Sequence, residues 1–176
     1  MANGASRGLF WSVVIGVVAS DLITKLAVVR VLPVHMPVHV AGDLITLQLV
    51  YNRGAAFGIH VGDYSRGVFT ALALLALVVL GAMVRQTDGN HRVRLVALGL
   101  VCGGAVGNLI DRIRSSRGVV DFIDVGIGQF RWPTFNIADM AVTCGAIALA
   151  LVLWAEGRRA DEHPPEQEKG AAPAAP

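Results

Sequence analysis

The chain has 176 residues, of which 54% are hydrophobic and only 16% charged, with a mean hydropathy of +0.58. About a quarter of the residues in soluble domains are charged, so this composition excludes an ordinary water-soluble globule and points to a bilayer. The net charge of +2 is small and no Lys/Arg cluster is interleaved with aromatics, which excludes nucleic acid as a partner.

A crossing takes roughly 20 apolar residues, so there is room for four spans and little else. The first apolar run, about 9–29, follows a short polar leader containing Arg7. It is too long for a signal-peptide core and no small-residue cleavage site follows, so it reads as a retained span. Next comes a long segment with Pro33 and Pro37, a Gly42-Asp43 turn signal and the β-prone run Leu44 to Tyr51. That pattern predicts a small sheet or hairpin at the membrane surface. The second and third spans, about 68–84 and 93–110, are separated only by the short polar link Arg85 to Arg92 and form an antiparallel hairpin. The fourth, about 134–154, follows Pro133, where a helix start tolerates proline. From Gly157 the chain is rich in Ala, Pro, Glu and Lys without apolar periodicity, so 157–176 is expected to be a disordered tail on a single membrane domain, 1–156. The expected fold is all-α, four transmembrane helices with a small extracytoplasmic β element, elaborated on the face that holds 30–67 and 113–133.

Charge bias alone does not orient the chain. Arg7, Arg85, Arg92, Arg94, Arg158, Arg159 and Lys169 lie on the side of the termini, and Arg30, Arg53, Arg66, Arg112, Arg114, Arg117 and Arg131 on the other. If Arg53 and Arg112 are held in a site rather than free in loops, the balance tips toward termini in the cytoplasm.

An ionisable side chain within a span costs at least about 2.5–3.5 kcal/mol on insertion scales, so each marks a candidate functional site. Asp21 and Lys25 are one turn apart in the first span. They are either an acid with its basic partner or a structural ion pair near the helix end with Lys25 snorkelling. Asn108, Asp111 and Arg112 stand at i, i+3 and i+4 of the third span, immediately after Gly103, Gly104 and Gly107. Those glycines permit close packing, so this is a polar face pressed against a neighbour, as a structural hub or as part of a site. Asn136 and Asp139 share a face at the start of the fourth span, where the helix dipole favours a carboxylate and burial opposes it. In Gly118-Val119-Val120-Asp121-Phe122 one acid sits between apolar residues just outside the membrane core, with Asp124 as its natural competitor. Two carboxylates brought together there share one proton, one acting as base on a water and the other as acid toward a carbonyl, which is aspartyl-protease chemistry.

No rival constellation has the same quality. His35, His39, His60, His91 and His163 are scattered without Glu or Cys at metal-ligand spacing, which argues against a zinc site. Cys102 and Cys144 lie in apolar runs and read as small buried hydrophobes.

Taken in order, Asp21 with Lys25, YNRGAAFG (51–58), GGAVGNLIDR (103–112), GVVDF (118–122) and FNIAD (135–139) resemble the bacterial lipoprotein signal peptidases, or signal peptidase II. The resemblance implies a metal-independent, cofactor-free aspartyl endopeptidase of the bacterial cytoplasmic (inner) membrane. Its substrates are diacylglyceryl-modified prolipoproteins, cut just before the lipobox cysteine. The resemblance makes Asp121 and Asp139 the catalytic pair. Around them Asn52, Gly54, Asn108, Arg112 and Asn136 match groups that bind substrate or cyclic-peptide inhibitors of the globomycin type. Asp21 with Lys25 matches a supporting pair and Asp111 belongs to a structural hub. Membrane lipids are implied partners, with the active site near the extracytoplasmic face and the termini in the cytoplasm.

A substrate carrying two acyl chains stays in the bilayer, so its peptidase must present carboxylates at the depth of the membrane surface. The β-prone segment and the NRGAAFG loop are then expected to clamp an extended backbone by strand addition. A small transporter or proton-conducting subunit would instead use Asp21, Lys25, Asp111 and Arg112 as a relay. That requires polar residues spread through the membrane depth, whereas here they gather toward one end of the third and fourth spans. A non-catalytic scaffold built on the Gly-rich third span would need neither Asp121 nor Asp139.

Overall fold

Glycines spaced one turn apart decide how the helices meet. The computed structural model describes residues 4–54 and 61–162, with helices α1 (Gly4–Val31), α2 (Ser65–Gln86), α3 (Arg92–Arg114) and α4 (Ile137–Glu162). Each is long and apolar enough to cross a membrane. A Cβ on Gly99, Gly103 or Gly107 of α3 would run into Val13, Val17 or Asp21 of α1, and one on Gly104 into the Ala138 carbonyl of α4. Small residues on two faces of α3 therefore let two neighbours approach to backbone distance, the usual route to helix association in lipid. α3 becomes the central helix, with 56% of its apolar window buried against 6% for α2. The lipid-facing sides of the others carry exposed Ile15, Ile23, Leu75, Val78, Ile147 and Leu151.

The two long connections, α1 to α2 and α3 to α4, emerge at the same end of the bundle and build one antiparallel sheet. Its order is β1 (Val38–Ala41), β2 (Ile45–Asn52), β3 (Val119–Ile127) and β4 (Phe130–Arg131). Gly42 makes the predicted β1–β2 turn at φ +53°. Leu49, Val120 and Phe122 form a second small core with Val28 of α1 and Leu32 just beyond its end, which seats the sheet on the bundle. Leu47 pairs with Ile123 but Val50 pairs with Asp121, so β2 carries one extra residue between them. A one-residue slip flips every later side chain to the other face. Without it Asn52 would point away from Asp121; with it the two are diagonal neighbours on one face.

Several expectations are corrected. The fourth helix starts at Ile137, not 134, because Phe135 is spent on a β-bridge to Ile123. Helix α4 also continues through Gly157 to Glu162, where the tail was expected to begin; 163–176 lie outside the described residues. Residues 55–58 of the YNRGAAFG motif lie outside them too. Strand addition to β2 is narrowed: β3 pairs one edge through Asn52, while β1 covers the other edge only as far as Leu47. Strands β3 and β4 were not anticipated, although Val119, Val120, Ile123, Val125 and Ile127 are the β-branched residues a strand favours. Cys102 is buried but Cys144 is exposed on α4.

The glycine contacts generate a paired test. Gly104→Ala meets a backbone carbonyl that cannot swing aside, and should lower stability by about 1–3 kcal/mol, the usual cost of overpacking. Gly81→Ala meets nothing within 4 Å and should be neutral or stabilising by up to about 1 kcal/mol. Thermal unfolding in one detergent reads both; equal losses would mean that α3 and α4 do not pack this closely.

Candidate active site

A buried ion network joins four elements beneath the sheet. Lys25 Nζ lies 2.7 Å from Asp21 Oδ2 and 2.9 Å from Asp111 Oδ2, with all three side chains no more than 3% exposed. Lys25 therefore does not snorkel; it crosses from α1 to α3. Asp21 accepts the backbone N–H of Ala138 in α4 at 3.0 Å, and Asp111 accepts that of Val120 in β3 at 3.3 Å. The absence of a side chain on Gly107 leaves the room Asp21 occupies.

The same lysine donates to Asn108 Oδ1 at 3.0 Å, which settles the orientation of that amide. Its Nδ2 then faces Asp139 and donates to Oδ1 at 2.7 Å. Asn136 and Asp139 bond reciprocally: the Asp139 N–H donates to Asn136 Oδ1 at 2.9 Å, and the Asn136 N–H to Asp139 Oδ2 at 3.2 Å. This is a capping box at the start of α4, and it fixes the Asp139 carboxylate. Asn136 Nδ2 is left to donate to Asp121 Oδ1 at 2.7 Å, and Asn52 Nδ2 donates to Asp121 Oδ2 at 3.0 Å. Asn52 is itself held by the Gly54 N–H, which donates to its Oδ1 at 2.9 Å. Gly118, at φ +110°, lets β3 begin directly against the Asn52 backbone, where a Cβ would collide with its carbonyl.

Asp121 and Asp139 thus face one cavity of about 480 Å³ and accept amide N–H donors, with no ion pair to either acid among the described residues. Asp121 is 2% exposed. Its carboxyl is pushed up to about 7, first by burial and second by the charge of Asp139, against the opposing hydrogen bonds from Asn52 and Asn136. Arg112 lines the same cavity, with Nη2 donating to the Gly54 carbonyl at 3.3 Å.

Apart from Asp124, the candidates from the sequence fall into two adjoining layers. Asp21, Lys25 and Asp111 form the ion network; Asn52, Gly54, Asn108, Arg112 and Asn136 surround the two acids. Asp124 does not compete with Asp121, because it sits on the opposite strand face. There it accepts Arg131 Nε at 2.8 Å and Thr46 Oγ1 at 3.0 Å. Arg131 had counted only as a loop charge. Also missed were Trp132, Thr134, Phe135, Met140, Thr143 and Cys144, which give the cavity its largely apolar wall. None carries a polar signature that spacing could reveal. Arg66 was missed as well; it donates to the Arg112 and Ile113 carbonyls at the end of α3.

Known proteins share this arrangement of chain. A family model described as signal peptidase (SPase) II matches residues 13–155. A lipoprotein signal peptidase of Paraburkholderia phymatum is 39% identical over 158 residues, 89% of this chain and 92% of the relative. One of Syntrophotalea carbinolica is 42% identical over 144 residues, 81% of this chain and 89% of the relative. Two solved structures, each described as a bacterial membrane enzyme determined by the in meso method, are also similar. One has a TM-score of 0.78 at 28% identity, covering 94% of this chain and 95% of that one. The other has 0.74 at 30%, covering 83% and 92%.

The position of Asp121 yields a stability test. Its folded pKa is raised from 3.8 to about 7, so the penalty for ionising it is absent below about pH 4, grows between 4 and 7, and is complete above 7. At about 1.4 kcal/mol per unit the ceiling is on the order of 4 kcal/mol. Asp121→Asn should match wild type in thermal stability at pH 4 and exceed it by a few degrees at pH 8. A variant less stable than wild type at pH 8 would contradict the buried, desolvated carboxyl.

Proposed function

The chain belongs to the signal peptidase (SPase) II family, and on that premise we propose that it is an aspartyl endopeptidase that cleaves prolipoprotein signal peptides with Asp121 and Asp139 as its catalytic pair. The observation that carries the assignment is that these two carboxylates line one cavity and are oriented by the same asparagine, Asn136. The ionised member of the pair takes a proton from a water whose oxygen attacks the scissile carbonyl carbon. The protonated member gives its proton to the carbonyl oxygen, forming a neutral tetrahedral diol. Return of a proton to the amide nitrogen then releases the signal peptide's new carboxyl end from the amine of the mature protein. The charge of Asp139 acts on Asp121, so base and acid are roles of the pair. Burial of Asp121 supports this reading, because it keeps one proton on the pair near neutrality.

The substrate is a precursor whose cysteine carries a diacylglyceryl group, cut just before that cysteine. Trp132, Phe135, Met140 and Cys144 supply an apolar wall suited to a lipid-bearing chain. Arg112 and the Gly54 segment border the cavity where the extended backbone lies, and a globomycin-type cyclic peptide competes for the same space. The protein resides in the bacterial inner membrane with its termini in the cytoplasm and the sheet on the extracytoplasmic side. A proton relay is disfavoured by the gathering of Asn52, Asn108, Asn136 and both acids at one end of the bundle.

The test is cleavage of a diacylglyceryl-modified prolipoprotein by the purified protein, with chelator present. Asp121→Asn and Asp139→Asn should each lower the rate by roughly 10²–10⁴-fold or more, the range of acid–base catalysis, while remaining folded. Wild-type kcat/KM should decline as pH climbs through about 7, where the shared proton leaves. Retained activity in Asp121→Asn together with loss in Asp111→Asn would keep the family and reject this pair.

A further inference from the structure

At the bundle end away from the two acids, the start of α1, the end of α2 and the start of α3 meet around a second cavity of about 280 Å³. It is lined by Arg7, Phe10, Trp11, Val84, Arg85 and Leu95. Ser6 Oγ donates to the Gly89 carbonyl at 2.9 Å and pins the start of α1 to the α2–α3 turn. Phe10 and Leu95 are buried and Val84 packs against the same core, so the floor is apolar. Trp11 is 57% exposed and stands edge-on to Phe10 with centroids 5.2 Å apart.

Above this floor stand two unused cations. Arg7 and Arg85 are exposed and, among the described residues, neither makes a hydrogen bond, ion pair or ring contact. Their neighbours are differently placed. His91 and Arg94 share Glu156 at 3.1 Å each, and Asp88 in the α2–α3 turn has its own partner and does not line the cavity. Two free guanidinium groups at the mouth of an apolar groove in a membrane bundle match a phosphodiester attached to hydrocarbon. Planar N–H forks suit phosphate oxygens, an interfacial tryptophan suits the headgroup boundary, and basic pockets between transmembrane helices hold anionic headgroups.

We propose that this cavity binds one anionic phospholipid of the adjoining leaflet, its phosphate between Arg7 and Arg85 and an acyl chain along Phe10, Trp11, Val84 and Leu95. The apolar lining is what separates a lipid from a free anion here: among the described residues the cavity offers no charged group beyond the two arginines. Bound there, the lipid links α1 to α2, both of which lean on α3.

Native mass spectrometry of the intact chain tests this with dioleoylphosphatidylglycerol and dioleoylphosphatidylcholine as probes. Wild type should retain one phosphatidylglycerol at least about tenfold more tightly than phosphatidylcholine. Arg7→Gln/Arg85→Gln should erase the preference, while Arg92→Gln/Arg159→Gln should keep it. Phosphatidylglycerol with brominated acyl chains should quench more tryptophan emission in wild type than in Trp11→Phe, a readout that needs no arginine variant. Equal retention of the two lipids, equal loss in the control double variant, undiminished quenching in Trp11→Phe, or displacement of phosphatidylglycerol by millimolar inorganic phosphate would each overturn the proposal. The readout is lipid binding, so its outcome is separate from that of the peptidase assay.

Discussion

The buried ammonium of Lys25 is the contact on which the rest of the site depends. A lysine taken out of water inside a bundle costs several kcal/mol unless its donors are all satisfied. Here they reach Asp21, Asp111 and Asn108, one on its own helix and two on α3. Each of the two acids spends a further lone pair on the backbone of a different element, α4 or β3. One cation thereby ties α1, α3, α4 and the sheet at a single depth. The glycine stripe of α3 is its precondition, since Asp21 could not reach past a side chain at position 107.

From that anchor the order passes outward through amides rather than charges. Asn108 is oriented by the lysine and Asn136 by its reciprocal bonds with Asp139, while Asn52 is brought to the correct face by an extra residue in β2. The four N–H donors they present leave each acid hydrogen-bonded yet unpaired with any cation among the described residues. A direct ion pair would hold a carboxylate ionised; amides permit a proton to be exchanged. Keeping the Lys25 ammonium one amide away from Asp139 is how the fold stabilises the geometry without an ion pair to that acid.

The helices were legible because apolar runs of spanning length have few alternatives, and the polar residues because ionisable groups inside them are costly and therefore conspicuous. Asp21, Lys25, Asn108 and Asp111 could be grouped on faces by helical spacing alone. Legibility failed where non-local pairing decides the outcome. Phe135 bridges Ile123 and delays α4, and no local propensity records that. The β2 bulge is visible only against β3, and the strand faces that separate Asp124 from Asp121 follow from pairing rather than composition. Arg131 looked like one more loop charge because its partners, Asp124, Thr46 and the Asp43 carbonyl, come from two separate connections.

The wall of the larger cavity includes Met140, Thr143 and Cys144, all exposed residues of a membrane-crossing helix. A mouth open on that side is supplied from the leaflet, not from bulk solution. Encounter then becomes a two-dimensional problem, governed by mole fraction and lateral diffusion within the lipid. Diluting the aqueous phase leaves the occupancy of such a mouth unchanged, whereas adding inert lipid lowers it. Ligands of equal intrinsic affinity would rank by how strongly they partition into the bilayer and how deep they sit.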